Sequence, residues 1–242
     1  VTATSVNGCV KTQTQNILVN SQPAISISAL PNDTVCAGTP ITLTASGGST
    51  YSWTGGITNG TAFTPTSSGT YTVTVTGANG CTKTQTQSVV VNPLPTISIS
   101  ATPNDTVCTG TPITLTANGG AIYSWTGGIT NSTAFTPTSG GTYTVTVTGA
   151  NGCTNTQTQN IVVNPLPTIS ISTLPNDTVC LGTPITLTAS GGSTYSWTGG
   201  IANGTVFTPT SNGTYTVTVT GANGCTKTQT QNIVVNSLPT IS

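Results

Sequence analysis

The chain has 242 residues but only three acidic and three basic side chains, and it contains neither histidine nor methionine. Catalysis and metal binding need clusters of His, Asp, Glu or Cys, and nucleic-acid backbones are bound by Lys and Arg. No apolar run reaches the 18 or so residues of a membrane-spanning helix. We therefore expect no enzyme activity or catalytic residue, no metal or other cofactor, no nucleic-acid partner and no direct membrane insertion.

The cysteines divide the chain into repeats, because each recurs with a step of 72 residues (36 to 108 to 180). Residues 1–22 are predicted to be the C-terminal part of a preceding repeat. Three full repeats are then predicted at 23–94, 95–166 and 167–238, followed at 239–242 by the start of another. Paired prolines, as in Pro93-Leu94-Pro95, predict a short, stiff linker between repeats.

Within a repeat the hydrophobic pattern has the period of two that is typical of β-strands, and no helical pattern occurs. In the second repeat, the strand at 112–117 places Ile113, Leu115 and Ala117 on one face. An Asn-Gly turn at 149–152 predicts a hairpin before the last strand. About seven short strands per repeat predict an all-β fold of tandem Ig-like β-sandwich repeats. Six of these strands are predicted at 96–100, 112–117, 123–126, 134–136, 142–148 and 153–164.

One tryptophan and one Gly-Thr-Tyr tyrosine recur at fixed places in each repeat. A single tryptophan per sandwich is typical of a core anchor, although a sugar-stacking platform is the alternative. The tyrosine resembles the tyrosine corner of Ig-like domains, which implies a structural role. The predicted core anchors are Trp53, Trp125, Trp197, Tyr71, Tyr143 and Tyr215.

The motif Val-Cys-x-Gly-Thr-Pro-Ile-Thr-Leu-Thr-Ala, then Tyr-Ser-Trp, then Gly-Thr-Tyr-Thr-Val-Thr-Val-Thr-Gly-Ala-Asn-Gly-Cys-Thr extends over the whole chain. It resembles the Ig-like and PKD-like tandem repeats of large Bacteroidetes surface proteins, including gliding-motility adhesins. The resemblance implies a structural or adhesive stalk, or a fibre-forming region, of a secreted cell-surface protein. The alternative is an array of carbohydrate-binding modules attached to a secreted enzyme, with surface glycans as partners.

Six cysteines of the full repeats are interpreted as disulfide-forming, and Cys9 has its expected partner outside the given sequence. Pairing within a repeat, as in Cys36 with Cys81, is the simplest pattern. In a strict Ig topology, however, these two positions lie at opposite poles of the sandwich. Pairing between neighbouring repeats would instead join Cys36 with Cys153 and Cys108 with Cys225, and bridges between chains are a third alternative. The six cysteines are Cys36, Cys81, Cys108, Cys153, Cys180 and Cys225. Since disulfides persist in oxidising compartments, we expect an extracellular or cell-surface location.

Asp-Thr-Val follows a Pro-Asn turn in each repeat. This triplet resembles the O-glycan acceptor motif of Bacteroidetes exported proteins, and the alternative is that these are plain turn residues. Glycosylation would help a protein with so little charge to stay soluble. The candidate acceptors are Thr34, Thr106 and Thr178.

The segment at 82–87 and its equivalents at 154–159 and 226–231 are polar on both faces of the predicted strand. An edge strand with at most one charge lacks the usual deterrents to pairing with another chain. We therefore predict lateral contacts with other copies of the protein in a bundle or filament, besides contacts with neighbouring repeats; a solvated edge is the alternative. The candidate contact residues are Gln85, Gln87, Gln157, Gln159, Gln229 and Gln231.

Overall fold

The computed structural model describes residues 1–241, and its regular structure there consists of β-strands and three short 3-10 turns. The chain opens with an antiparallel hairpin of β1 (Thr2–Thr4) and β2 (Val10–Thr12). Three successive sandwiches follow, and each contains one 3-10 turn directly after its tryptophan. These turns are Thr54–Gly56, Thr126–Gly128 and Thr198–Gly200.

Seven strands build the first sandwich: β3 (Ser26–Leu30), β4 (Thr34–Cys36), β5 (Ile41–Ser46), β6 (Thr50–Trp53), β7 (Ala62–Phe63), β8 (Gly69–Thr76) and β9 (Thr82–Asn92). A three-stranded sheet has the order β3-β5-β7, and a four-stranded sheet has the order β4-β9-β8-β6. Neighbouring strands are antiparallel except β4 and β9, which run parallel. The first two strands of the sandwich therefore lie in different sheets, β3 in the three-stranded sheet and β4 in the four-stranded sheet.

The second and third sandwiches have the same two sheet orders. The second contains β10 (Ser98–Thr102), β11 (Thr106–Cys108), β12 (Ile113–Asn118), β13 (Ile122–Trp125), β14 (Ala134–Phe135), β15 (Gly141–Thr148) and β16 (Thr154–Asn164). The third contains β17 (Ser170–Leu174), β18 (Thr178–Cys180), β19 (Ile185–Ser190), β20 (Thr194–Trp197), β21 (Val206–Phe207), β22 (Gly213–Thr220) and β23 (Thr226–Asn236).

Each sandwich has its own core, formed where the inward faces of the two sheets meet. Along β5 buried and partly exposed residues alternate strictly, because successive side chains of a strand point to opposite faces. The hydroxyls of the intervening threonines therefore stay outside the core. Burying each aliphatic side chain contributes roughly 1.5–3 kcal/mol. The buried residues of the first core are Val35, Ile41, Leu43, Ala45, Trp53, Val73, Val75 and Val89.

A Gly-Gly loop packs closely against the segment that precedes β3 in the first sandwich. Gly47 has φ +98°, and a Cβ there would overlap the carbonyl oxygen of Ala24. A Cβ on Gly48 would overlap the side chain of Val75. The Tyr51 hydroxyl accepts a hydrogen bond from the Gly48 N–H (3.2 Å) and donates one to the Gly48 carbonyl (2.8 Å). The loop therefore needs glycine at both positions.

By its internal contacts the chain divides into two compact units. The first comprises residues 1–95 together with the hairpin tip at 149–154, and so contains the first sandwich. The second comprises residues 96–148 and the chain from 155 onward, and contains the second and third sandwiches. Within the described residues no helix is long and apolar enough to span a membrane.

The predicted all-β, Ig-like sandwich fold is confirmed, with seven strands in each sandwich. Predicted strands match closely: the pattern at 112–117 corresponds to β12 and the one at 142–148 to β15. The strand β11 was missed, since three residues are too short to show a period of two. It pairs in parallel with the end of β16, so Cys108 lies on a strand. The repeat boundaries at 23–94, 95–166 and 167–238 stay a prediction.

Candidate functional site: the sandwich junction and an open strand edge

The hairpin tip of the third sandwich is built around one asparagine. The Gly221 N–H donates to the Cys225 carbonyl (2.8 Å), which closes the turn. Asn223 Oδ1 accepts from the Cys225 N–H (3.1 Å), and Asn223 Nδ2 donates to the Pro165 carbonyl in the linker (2.9 Å). One side chain therefore holds the cysteine in place and ties the hairpin to the preceding linker.

Cys108 approaches the same linker from the second sandwich. It ends β11 opposite Asn164, the last residue of β16, and the Thr109 N–H donates to the Asn164 carbonyl (2.9 Å). Cys108 and Cys225 thus flank Asn164-Pro165 from the two sides, and they form a disulfide with a Cα–Cα distance of 5.7 Å. Cys225 is almost completely buried in this junction (1% exposed).

The first unit contains the equivalent junction. Asn151 Nδ2 donates to the Pro93 carbonyl (2.9 Å), and its Oδ1 accepts from the Cys153 N–H (3.1 Å). Cys36 lies opposite Asn92 at the end of β4 and is bonded to Cys153, again with a Cα–Cα distance of 5.7 Å. Both bridges span the same sequence separation of 117 residues.

The simplest pairing, within one repeat, is wrong, and the alternative between neighbouring repeats is the one observed. In the first sandwich Cys36 lies beside the last residue of β9, whereas Cys81 directly precedes its first residue. At roughly 3.3 Å per residue, this eleven-residue strand separates the two positions by about 35 Å. Bridged Cα atoms lie within about 7 Å of each other. The two cysteines of one sandwich therefore cannot meet.

Three cysteines keep their thiols among the residues that the structure describes: Cys9, Cys81 and Cys180. Cys81 occupies the same hairpin position as Cys153 and Cys225, and its Asn79 donates through Nδ2 to the Ser21 carbonyl (3.0 Å). The linker contact of the hairpin is thus present at residues 77–81 as well. For these three cysteines disulfide formation stays a prediction.

The tryptophans lie in the cores and bind an asparagine that sequence reasoning did not identify. Trp53 is 6% exposed, and its indole N–H donates to Asn59 Oδ1 (3.0 Å). The same Oδ1 accepts from the Ala45 N–H (2.7 Å), and Asn59 Nδ2 donates to the Ala45 carbonyl (3.1 Å). The side chain acts as a strand partner for β5 where β7 is too short to reach. Asn131 and Asn203 make the same three bonds to Ala117 and Trp125 and to Ala189 and Trp197.

The Gly-Thr-Tyr tyrosines are partly buried against the cores. Tyr71 packs edge-to-face on Phe63 with ring centroids 5.2 Å apart, and Tyr143 and Tyr215 repeat this contact with Phe135 and Phe207. The tyrosine hydroxyl that binds the backbone belongs instead to Tyr51. The ring of Tyr71 contributes packing.

The candidate glycan acceptors are exposed at the start of a strand. The Thr34 hydroxyl donates to the neighbouring Asp33 carboxylate (3.3 Å), and Thr106 and Thr178 make the same bond to Asp105 and Asp177. Their accessibility is compatible with modification, which stays a prediction. Among residues 1–241 no group of three or more His, Cys, Asp or Glu could hold a metal ion.

The polar segment Thr82–Ser88 forms the first part of β9. Gln85 and Gln87 share a strand face with the buried Val89, but Gln85 is exposed and Gln87 only partly buried. The opposite face carries Thr82, Thr84, Thr86 and Ser88, which lie beside four threonines of β8. This part of the sheet therefore presents hydroxyl groups on its outer face.

No protein-family model matches the chain, and the comparison with curated proteins found no match. Among solved structures, the chain is similar to the ICAM-5 D1–D4 ectodomain fragment, with 12% identity and a TM-score of 0.44 over 87% of this chain and 76% of that one. It is also similar to a Ca²⁺-stabilised adhesin with which an Antarctic bacterium binds ice (17% identity, TM-score 0.33, 97% of this chain and 80% of that one). A third likeness is to a 1.5-MDa bacterial ice-binding adhesin (16% identity, TM-score 0.29, 91% of this chain and 100% of that one).

All three TM-scores lie below 0.5. No argument about the fold or the function of this chain rests on these likenesses.

Proposed function

We propose that the chain is a load-bearing part of a stalk or fibre in a secreted cell-surface adhesin, in which each sandwich is covalently tied to the next. The observation that carries the proposal is the pair of equivalent disulfides, Cys36–Cys153 and Cys108–Cys225. Each joins a cysteine at the end of one sandwich to the hairpin tip of the following one. Such bonds add a second covalent connection between neighbouring repeats, so tension along the array is not borne by the linker alone.

The disulfides also limit how far the chain can unfold. Each bridge closes a loop of 117 residues, for which chain entropy alone predicts about 5 kcal/mol of stabilisation. Sandwiches of this size bury little surface and are individually of modest stability. Crosslinks between them stabilise the array without adding residues to each core.

An extracellular location fits the same bonds, because structural disulfides persist in oxidising compartments. We propose that the repeating unit is the 72-residue repeat and that the array is of the Bacteroidetes adhesin type that its motifs resemble. O-glycosylation at Thr34, Thr106 and Thr178 belongs to this proposal. An intact mass of the native protein equal to the polypeptide mass would exclude it.

The carbohydrate-binding alternative has no feature of the site in its favour. Sugar stacking needs an exposed aromatic face, whereas Trp53, Trp125 and Trp197 are at most 7% exposed and bind asparagine through their indole N–H groups.

The proposal is tested by peptide mapping of the secreted protein under non-reducing conditions. We expect crosslinked peptides that contain Cys36 with Cys153 and Cys108 with Cys225, and they should disappear on reduction. A crosslink of Cys36 to Cys81, or alkylation of all cysteines without prior reduction, would contradict the proposed array.

A further inference from the structure

The last strand of each sandwich has one edge that is only partly paired. In the first sandwich Thr82–Val89 of β9 pairs with β8, but on the other side of β9 only Val90–Asn92 pairs with β4. The stretch Thr82–Ser88 extends beyond β4, and Thr82 to Thr86 are exposed. A seven-residue strand edge therefore faces solvent.

The backbone groups on this edge can be assigned from the β4 pairing. The Val90 N–H donates to the Asp33 carbonyl (2.8 Å), and the Asn92 carbonyl accepts from the Ala37 N–H (2.9 Å). Because hydrogen-bonding direction alternates along a strand, the groups of Thr82, Thr84, Thr86 and Ser88 point to the same side as those of Val90. The row of donors and acceptors that binds β4 thus continues as an open row.

In each sandwich a glutamine shields one end of this row. Gln87 Nε2 donates to the Ser88 carbonyl (3.0 Å), and Gln159 and Gln231 make the same bond to the Asn160 and Asn232 carbonyls. In the second sandwich the Thr156 N–H is also bound by Asn155 Oδ1 (2.9 Å). The first and third sandwiches have Lys83 and Lys227 at that position. Their central threonines keep N–H and carbonyl groups directed outward.

We propose that Thr82–Ser88 is a self-pairing edge, which adds the same segment of a second copy of this chain as an antiparallel strand. A register centred on Gln85 places Thr84 opposite Thr86 of the other copy, and Thr86 opposite Thr84 of that copy. Each of these two pairs exchanges two backbone hydrogen bonds, which gives four in total. Thr–Thr pairs are favourable across antiparallel strands. Such a pairing is two-fold symmetric, as expected when identical surfaces meet.

Charge permits this register. The only charged residue of the segment, Lys83, lies opposite Gln87 of the other copy, so the two lysines do not face each other. The segment contains no proline and no inward-pointing acid, the devices with which natural edges prevent such pairing. The equivalent segment of the third sandwich, 226–232, has the same threonines and the same single lysine. The inference is independent of the proposed load-bearing function, because it does not involve the disulfides.

The test uses the full chain with its thiols alkylated, so that new disulfides cannot link chains. Amide hydrogen exchange is followed by NMR at increasing protein concentration, alongside sedimentation equilibrium. We expect association to slow exchange at Thr84, Thr86, Thr228 and Thr230 at least about tenfold. The Gln85 amide, which points to β8, should be protected at every concentration.

Matched variants distinguish the contribution of the backbone N–H groups from that of the threonine side chains. Thr84→Pro with Thr156→Pro and Thr228→Pro removes three outward N–H groups at positions where a sheet tolerates proline; at Thr156 it also removes the hydrogen bond to Asn155 Oδ1. We expect this variant to associate at least about tenfold more weakly, since each lost hydrogen bond has a net value near 1 kcal/mol. The matched triple valine variant loses the Thr–Thr side-chain pairs but keeps the N–H groups, so it should associate clearly more tightly than the proline variant.

A chain that stays monomeric at about 1 mM, a scale at which even weak complexes form, would overturn the proposal. So would association during which Thr84 and Thr86 continue to exchange freely, whether or not the proline variant folds. Wrong disulfide pairing in the peptide map would contradict the proposed function but would leave these results unaffected.

Discussion

Removing one disulfide should change the maximum length of the chain by an amount that depends on the pairing. In the oxidised chain, the shortest covalent path runs from the start to Cys36, across to Cys153, back to Cys108, across to Cys225 and on to the end. That path has about 97 residue steps, or about 350 Å at roughly 3.5 Å per step, against about 840 Å for the reduced chain.

Single-molecule force spectroscopy with handles at the two ends measures this length directly. Replacing Cys36 or Cys108 by serine leaves one bridge and a path of about 124 steps, so either variant should extend to about 430–440 Å. Cys180→Ser is the matched control and should not lengthen the oxidised chain, because Cys180 has no bridge among the described residues.

The control also provides the refutation. If the cysteines paired within each repeat, Cys180→Ser would release a loop of about 45 residues and add about 150 Å, and Cys36→Ser would extend to about 530 Å. Either result, a longer Cys180→Ser chain or a Cys36→Ser chain of about 530 Å, would show that the junction bridges do not form.

Three further predictions concern the packing and the linker. Asn131→Ala should lower the free energy of unfolding by about 3 kcal/mol, because it leaves part-buried donors of the core without partners; denaturant titration measures this, with exposed Thr158→Ala as control. Gly47→Ala should destabilise by several kcal/mol through overlap with the Ala24 carbonyl, whereas Gly38→Ala, where a Cβ meets no atom within 4 Å, should lose only the roughly 1 kcal/mol of a positive φ. A protease site inserted at Leu166 and cut should leave the oxidised chain in one piece on a non-reducing gel and release two fragments only after reduction; separation without reductant would contradict the Cys108–Cys225 bridge.

The strands could be predicted because their inward residues are aliphatic and their outward residues are threonines. Ile113, Leu115 and Ala117 show this alternation without interruption, and β12 lies where they predict it. The short strand β11 could not be predicted, since three residues are specified by their pairing with β16 and not by a pattern of their own.

The hydrogen-bonding roles of two asparagines, Asn131 and Asn151, could not be predicted from a sequence pattern. In the sequence Asn131 belongs to a loop and Asn151 to a hairpin turn, and both positions are ordinary for asparagine. What distinguishes them is the simultaneous use of their amide oxygen and nitrogen, by Ala117 and Trp125 in one case and by Cys153 and Pro93 in the other. Ala117 and Trp125 lie 14 and 6 residues from Asn131 along the chain, and Cys153 and Pro93 lie 2 and 58 residues from Asn151. No local pattern indicates these pairings.

The disulfide partners illustrate a different limit. Sequence reasoning placed the two cysteines of a repeat at opposite poles and so raised both alternatives, but it could not decide between them. The decisive fact is the parallel pairing of β4 with the end of β9, because it places Cys36 beside Asn92 and hence beside the linker. That pairing depends on a three-residue strand.

The bridges have a consequence for the linkers that follows from covalent connectivity alone. Tension entering at Cys108 passes through the disulfide to Cys225 and bypasses Pro165-Leu166-Pro167, which lies inside the closed loop. The Cys36–Cys153 bridge bypasses Pro93-Leu94-Pro95 in the same way. The segment between Cys108 and Cys153 is then the part of the second sandwich that bears the load, and it contains the buried β12 and β15. A stiff, proline-rich linker is thus free to position the hairpin tip for its disulfide, while the force runs through strands that are held by a packed core.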